Sequence, residues 1–384
     1  MYEILKRRMQ EFQTRLSDRK LDLALLTDQD SIAYLAGFWG YLGVEFGRPT
    51  LLLVPANGEC TIITPLMEAD MVMQMTWIED IQPWEDGNTN NWRQVLGSRL
   101  RQAKQLRIGI ETRKMPALIG EFLNELRTSI ELTDVAASLG AMRMIKGPEE
   151  IEIMRQAGQI AVAMVEGGKA AIGEGVPEYE IALAVIASGT RKAAGFLTDA
   201  GLDAFISPTI HNLQILQSGE HTSLVHRRSS VRTLKAGDPV YMCFCGMVDF
   251  KQYKLGFDRE FFVGSATDEQ ARIYEITVAA QRAALDAIRP GVIAEDVHFA
   301  ACEVYRTAGF EVGYRTGRAI GMSNLEAPEL KSGDKTVLQT GMTFAVDGGI
   351  TIPGKFGARV GDSIVVTAEG YEILTPYPND LRVI

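Results

Sequence analysis

The sequence predicts an α+β chain of two domains, a smaller α/β domain followed by a larger one in which helices cover an antiparallel, curved sheet. Three observations carry this. The 384 residues exceed ordinary single-domain size. Helical and strand periodicities alternate through Val135. In the second half, a helix end, a glycine turn and a new helix occur twice, each time followed by strand text.

The elements follow in order. Charges at helical spacing give a helix through about Leu16, and "LDLALLT" is an apolar run of strand length. A glycine-rich loop from Gly37 to Gly47 leads into the strands "TLLLVP" and "CTIITP". "LRIGIE", an amphipathic helix near Ala117 to Leu126, and "SIELTDV" complete the first domain, set at residues 1–142. The second, residues 143–384, begins with "KGPEEIEIMRQAG", where Pro148 suits a first helical position and Glu149 and Glu150 sit where the helix dipole favours anions. "AAIGEGVPEYEIALAV" turns at Gly175-Val176 and its helix runs to Phe196, while "DAIRPGVIAEDVHFAA" turns at Gly291-Val292 and closes at Phe310. Two copies suit two related halves packed together. The strand text after them is "DPVYMCFCGMV" and "DREFFVG", then "GMTFAVDGGITI" and "DSIVVT".

Composition excludes several function classes. A formal charge of -10 repels phosphate backbones and anionic membranes, so nucleic acid and membrane are not expected partners. Cys60, Cys243, Cys245 and Cys302 are too scattered for a disulfide framework and include no CxxC pair. No apolar stretch resembles a signal peptide or reaches membrane-span length, and the expected location is the cytoplasm.

Several polar residues lie in apolar strand text, where an unpaired charge is costly. Asp258 and Glu260 flank Arg259, and the strand period of two puts the acids on one face and Arg259 on the other. Asp347 interrupts "TFAVDGG", Arg359 and Asp362 lie in "ARVGDSIVV", and His226 follows "SGEHTSLV". Such carboxylates with a nearby histidine serve cation binding, acid–base chemistry or structural ion pairs, and the residues alone leave these open. No HxxH or HExxH spacing occurs, and His211, His221 and His298 read as solvated or capping histidines. Cys243, Cys245 and Cys302 read as buried free cysteines. The glycines from Gly37 to Gly47 match neither phosphate-binding fingerprint.

These pieces in this order resemble the creatinase/prolidase/methionine aminopeptidase superfamily. The resemblance rests on "MRMIKGPEEIEIMRQAG", "SGEHTSLVH" before "LKAGDPVY", "GMTFAVDGG" and "ARVGDSIVVTAEGYEILT", and it covers nearly the whole chain. It implies the pita-bread fold in the second domain. Metal-dependent members use two Asp, one His and two Glu as ligands. The corresponding positions here hold Cys243, Gly256, Arg318, Asp347 and Gly361. The expectation is therefore no metal and no other cofactor.

The resemblance is nearer to the metal-free creatinase branch. Asp258 stands where creatinases carry a catalytic Glu, Asp347 matches their second Glu, and His226 matches the proton-shuttling His. "VEFGRP" resembles the loop whose Phe and Arg reach a partner subunit's site, which implies that role for Phe46 and Arg48, with Trp39 beside them. The implied function is metal-independent hydrolysis of a C–N bond in a small carboxylate-bearing amidine or guanidino compound. Asp258 and Asp347 would clamp the amidino nitrogens, His226 would activate water, and Arg48 would hold the carboxylate. Cys243, Glu260, Arg318 and Arg359 complete the expected pocket. Each acid is one methylene shorter than its creatinase counterpart, so a cyclic amidine, as in ectoine hydrolases, is the alternative substrate. A catalytically inactive binding protein is the alternative outside the enzymes. The family pattern implies a homodimer in which the first domain completes the partner's site.

Overall fold

Leu5, Met9, Phe12 and Leu16 recur at spacings of four, three and four, and their burial fixes the inner face of the first helix, α1 (Tyr2–Asp18). The computed structural model describes residues 2–40, 42–87, 91–101, 106–126, 130–201, 205–210, 215–244 and 249–384. The chain divides into two compact units, Met1–Met142 and Arg143–Ile384.

In the first unit, β1 (Leu23–Leu26), α2 (Gln29–Ala36), α3 (Leu42–Phe46), β2 (Leu51–Pro55), β3 (Thr61–Pro65), α4 (Leu66–Met75) and β4 (Asp80–Trp84) follow α1. Then come α5 (Trp92–Leu100), β5 (Leu106–Ile110), α6 (Ala117–Glu125), β6 (Ile130–Asp134) and α7 (Ala136–Arg143). The sheet order is β4-β3-β2-β1-β5-β6, with β1 antiparallel to β2 and parallel to β5. Leu25, Leu51, Leu53 and Ile63 pack against Trp92, Leu96 and Phe122 in one core. The glycine-rich stretch is not one loop: Gly37, at φ +83°, ends α2, and α3 lies within it.

The second unit contains α8 (Pro148–Ala171), α9 (Glu178–Asp199), β7 (Ile215–Ser218), a 3-10 turn (Gly219–Ser223), β8 (Pro239–Cys243), β9 (Asp249–Phe250), β10 (Tyr253–Lys254) and β11 (Asp258–Phe262). It continues through α10 (Asp268–Ala287), α11 (Ala294–Thr307), β12 (Gly317–Ala319), β13 (Glu326–Leu330), β14 (Thr343–Ile352), β15 (Phe356–Val366) and β16 (Tyr371–Ile373). The main sheet runs β13-β12-β14-β15-β11-β8-β7, with β16 beside β15. Every pairing in it is antiparallel.

The sequence repeat has a matching repeat of hydrogen bonds. Gly175, at φ +81°, donates to Leu234 O at 2.8 Å, and Leu234 N donates back to Val176 O at 2.9 Å. Gly291, at φ +89°, donates to Leu338 O at 2.9 Å, and Leu338 N donates to Val292 O at 2.8 Å. The positive φ is the physical reason for glycine at both turns.

Alternate residues of the long hairpin β14–β15 decide what each sheet face meets. Phe344, Val346, Ile364 and Val366 join Ile273, Ala280, Ala284, Val297 and Ala301 of α10 and α11 in one core. The other face carries Asp347, Arg359 and Gly361. Among the described residues, no helix is long and apolar enough to cross a membrane.

Candidate active site

Four neighbouring strands place one residue each in a row. Cys243 on β8 pairs with Asp258 on β11, Asp258 with Gly361 on β15, and Gly361 with Asp347 on β14. Residues in register project to the same sheet face, so two acids converge over a glycine. A Cβ on Gly361 would lie 2.6 Å from Asp258 Oδ2 and 3.0 Å from Asp347 Cβ. The missing side chain is what leaves room for both. From β12, Arg318 reaches in and donates through Nη1 to Asp347 Oδ2 at 2.6 Å, while its Nε donates to Asn324 O at 2.9 Å.

The two acids have different surroundings. Asp258 is buried, and loss of solvation, then the charge of Asp347, push its pKa up to about 6. Hydrogen bonds from Cys243 and Tyr241 and the charge of Arg318 oppose that rise. Asp347 is half-buried and holds its guanidinium partner directly. One acid thus exchanges protons near neutrality while the other is paired with a fixed cation.

Glu260 lies on the Asp258 face of β11, buried at 1% exposure, and its pKa is pushed up to about 8 by that burial, with the Arg359 N–H and charge opposing. Arg359 N donates to Glu260 Oε2 at 3.0 Å. Arg259 turns to the other face as the strand period requires, where Nη2 donates to Asp362 Oδ1 at 2.7 Å and Nη1 to Gly361 O at 2.8 Å. Gln281 and Thr375 also donate to Asp362, at 3.0 Å each. Neither Arg259 nor Arg227 makes an ion pair with Asp258, since Arg227 is held by Glu178 at 2.9 Å.

The structure brings together Asp258, Asp347, Cys243 and Arg318, with Glu260 and Arg359 beside them. His226 sits on an exposed turn without a hydrogen bond or ion pair among the described residues. That turn is anchored near the site: Thr222 Oγ1 accepts from Gly357 N at 3.0 Å, and Thr222 O accepts from Arg359 Nη1 at 2.7 Å. In the first unit, Phe46 is 64% exposed, Arg48 pairs with Asp86 at 2.6 Å, and Trp39 lines a cavity of about 320 Å³ with Phe38, Asp28 and Glu68.

Sequence reasoning missed Tyr241, which hydrogen bonds to Asp258 from the strand position two before Cys243. The period of two was the available signal. His298 is not solvated: it is 4% exposed, with Thr316 Oγ1 at 2.8 Å from Nδ1 and Cys302 Sγ at 3.3 Å from Nε2. Cys60, Cys243 and Cys302 are buried and form no disulfide among the described residues. Tyr41, His211 and Cys245 lie outside the described residues.

The five positions aligned with the metal ligands of the superfamily do not fit a two-ion centre. Two are glycines, the third is Arg318, and the carboxylate of Asp347 already carries that guanidinium at 2.6 Å. Asp258 occupies the space above Gly361 where a longer acid would otherwise project. A buried cation among the ligand positions opposes a dication on electrostatic grounds.

Comparison with known proteins gives matches over nearly the full length. The model of metallopeptidase family M24 matches residues 152–368, and that of the creatinase/prolidase N-terminal domain matches residues 8–145. The agropine synthesis cyclase of Rhizobium rhizogenes is 29% identical over 388 residues, covering 98% of this chain and 96% of that protein. A dipeptidase from Pyrococcus horikoshii OT3 is 26% identical with a TM-score of 0.83, covering 98% of this chain and 100% of that one. A prolidase from Thermococcus sibiricus shares the fold at 23% identity and a TM-score of 0.85, covering 100% and 99%.

Proposed function

The chain belongs to metallopeptidase family M24, with a creatinase/prolidase N-terminal domain ahead of it, and we propose that it is a metal-independent enzyme acting on a C–N bond of a small carboxylate-bearing compound. The observation that carries this reading is the Arg318–Asp347 ion pair beside the buried acid Asp258. Retained metal ligands would need neither the arginine nor the shortened acid.

In the creatinase-like reaction, the paired carboxylates hold a cationic amidine or guanidino group against the row of strands. Water adds to the central carbon, the C–N bond breaks, and the departing nitrogen takes a proton. Asp258, with a pKa of about 6, is suited to pass that proton at neutral pH. His226 is the candidate link to solvent, from the turn that Thr222 anchors. Arg48 and Phe46, supplied by a second copy in a homodimer, would close the site with Trp39.

The relative named as a cyclase supports a second reading, on a cyclic compound, for which the cyclic amidine is the candidate. Opening a ring with water and closing it with loss of water are two directions of one reaction, so the same acids serve both. The test is proton NMR of chelator-treated protein with creatine, guanidinoacetate, ectoine and hydroxyectoine, alongside Asp258→Asn and His226→Ala. Turnover by the parent and not by Asp258→Asn supports the proposal, and the consumed compound selects the branch. Turnover only after manganese or zinc is added overturns metal independence. Binding without turnover across the panel favours an inactive recognition protein.

A further inference from the structure

Arg318 is spent on Asp347, and Arg259 on Asp362 at the opposite face. Arg359 is different. It is 9% exposed, and among the described residues it makes no ion pair. Its Nη1 donates to Thr222 O at 2.7 Å and its Nη2 to Thr351 Oγ1 at 2.9 Å, while the guanidinium carbon lies 5.4 Å from the centre of the Tyr241 ring. All these neighbours are neutral. A guanidinium buried among neutral acceptors lacks the counter-charge that ordinarily compensates its desolvation.

Glu260, the acid beside it, meets Arg359 through the backbone and, among the described residues, makes no ion pair with its guanidinium. Its Oε2 accepts the Arg359 backbone N–H, and its Oε1 is buried without a hydrogen-bond partner. Burial raises its pKa to about 8, which favours the neutral acid at neutral pH, and Oε1 leaves hydrogen-bonding capacity unused. An unpaired cation and an unsatisfied acid, side by side on the face that carries Asp258, are complementary to one kind of guest.

We propose that Arg359 and Glu260 form a carboxylate-binding subsite, in which the guanidinium takes the anion and the Glu260 acid donates a second hydrogen bond to it. This rests on the reading of Asp258 and Asp347 as the reacting centre. Arg359 and Gly361 are two residues apart on β15, a separation of about 7 Å along the strand. The substrate class is therefore a molecule of amino-acid size whose carboxylate and reacting group are separated by roughly that distance. With Arg318 committed to Asp347, the carboxylate is held within the sheet itself, independently of Arg48.

The test is titration of the full-length protein with carbon-13-labelled acetate, followed by NMR line broadening, with sodium chloride at equal ionic strength as control. Saturable binding is expected in the parent. Arg359→Gln should weaken it about tenfold or more, and Arg359→Lys, which keeps the charge but loses the fork, by a smaller factor. Glu260→Gln, whose amide still donates, should stay within about threefold of the parent. Absence of saturable binding in the parent, or unchanged affinity in both Arg359 variants, overturns the proposal. Acetate binding does not depend on turnover, so failure of the substrate panel leaves this result separately readable.

Discussion

Arg318 and Asp347 meet from adjacent strands with Nη1 2.6 Å from Oδ2, and this contact separates the fates of two acids that share the space over Gly361. Without the guanidinium, two carboxylates at close range compete for one proton. Arg318→Gln removes a charge that holds the Asp258 pKa down. The Asp258 titration, about 6 in the parent, should move to higher pH in the variant, read by carbon-13 NMR of labelled aspartate carboxyls. An unmoved midpoint would detach Arg318 from the acid pair.

Gly361 is constrained by what sits above it. A methyl group there would meet Asp258 Oδ2 at 2.6 Å, well inside contact distance. Gly361→Ala should force the acid aside and cost about 1–3 kcal/mol in urea unfolding, as overpacking of a filled space does. The displaced Asp258 should also lose the proton exchange on which the proposed reaction depends, so activity should fall more steeply than stability. Equal stability with a normal Asp258 titration would show that the crowding relaxes.

The main elements were legible because their periodicities are unambiguous. The row Cys243, Asp258, Asp347 follows from period-two strands, and Arg259 turned away for the same reason. β4 escaped notice because its sequence, DIQPW, contains Pro83, which disfavours a strand except at an edge, and β4 is an edge of its sheet. The burial of His298 was readable, since Ala294, Val297, Ala301, Cys302 and Tyr305 put it on the inner stripe of α11, yet a polar residue type argued against it. What periodicity does not encode is partner choice across distant strands. Arg318 was expected to be available for substrate, and its commitment to Asp347 depends on β12 lying beside β14, a pairing of segments separated by β13.

Lys146, at the start of the second unit, is a stability prediction independent of the site. Its Nζ lies 2.8 Å from Glu326 Oε2, with the two side chains 2% and 6% exposed. Lys146→Met leaves Glu326 buried and unpaired, and should cost about 3–5 kcal/mol by denaturant unfolding. The double variant Lys146→Met, Glu326→Leu should recover much of that loss, because the uncompensated charge is gone. A cost that persists in full would assign the effect to packing.

Glu260 gives stability a pH dependence whose sign follows from its burial. A glutamate in the unfolded chain titrates near its ordinary value of 4.5, whereas in the folded protein burial raises it to about 8. Between these values the folded state keeps a proton that the unfolded state has released, so this group makes the protein less stable as pH rises. The loss begins as pH passes 4.5 and is complete once pH exceeds about 8, where the buried carboxylate is charged in both states. Glu260→Gln, neutral throughout, should therefore flatten the decline in stability between pH 5 and pH 8 measured by urea unfolding. Asp258, also raised, contributes in the same direction but only up to about pH 6, and Asp362 and Glu68 are raised as well, so the Glu260 contribution is read as the difference between parent and variant between pH 6 and pH 8. Parallel curves for parent and variant across that upper window would mean that Glu260 is ionised in the folded protein, and would remove the neutral acid from the carboxylate subsite.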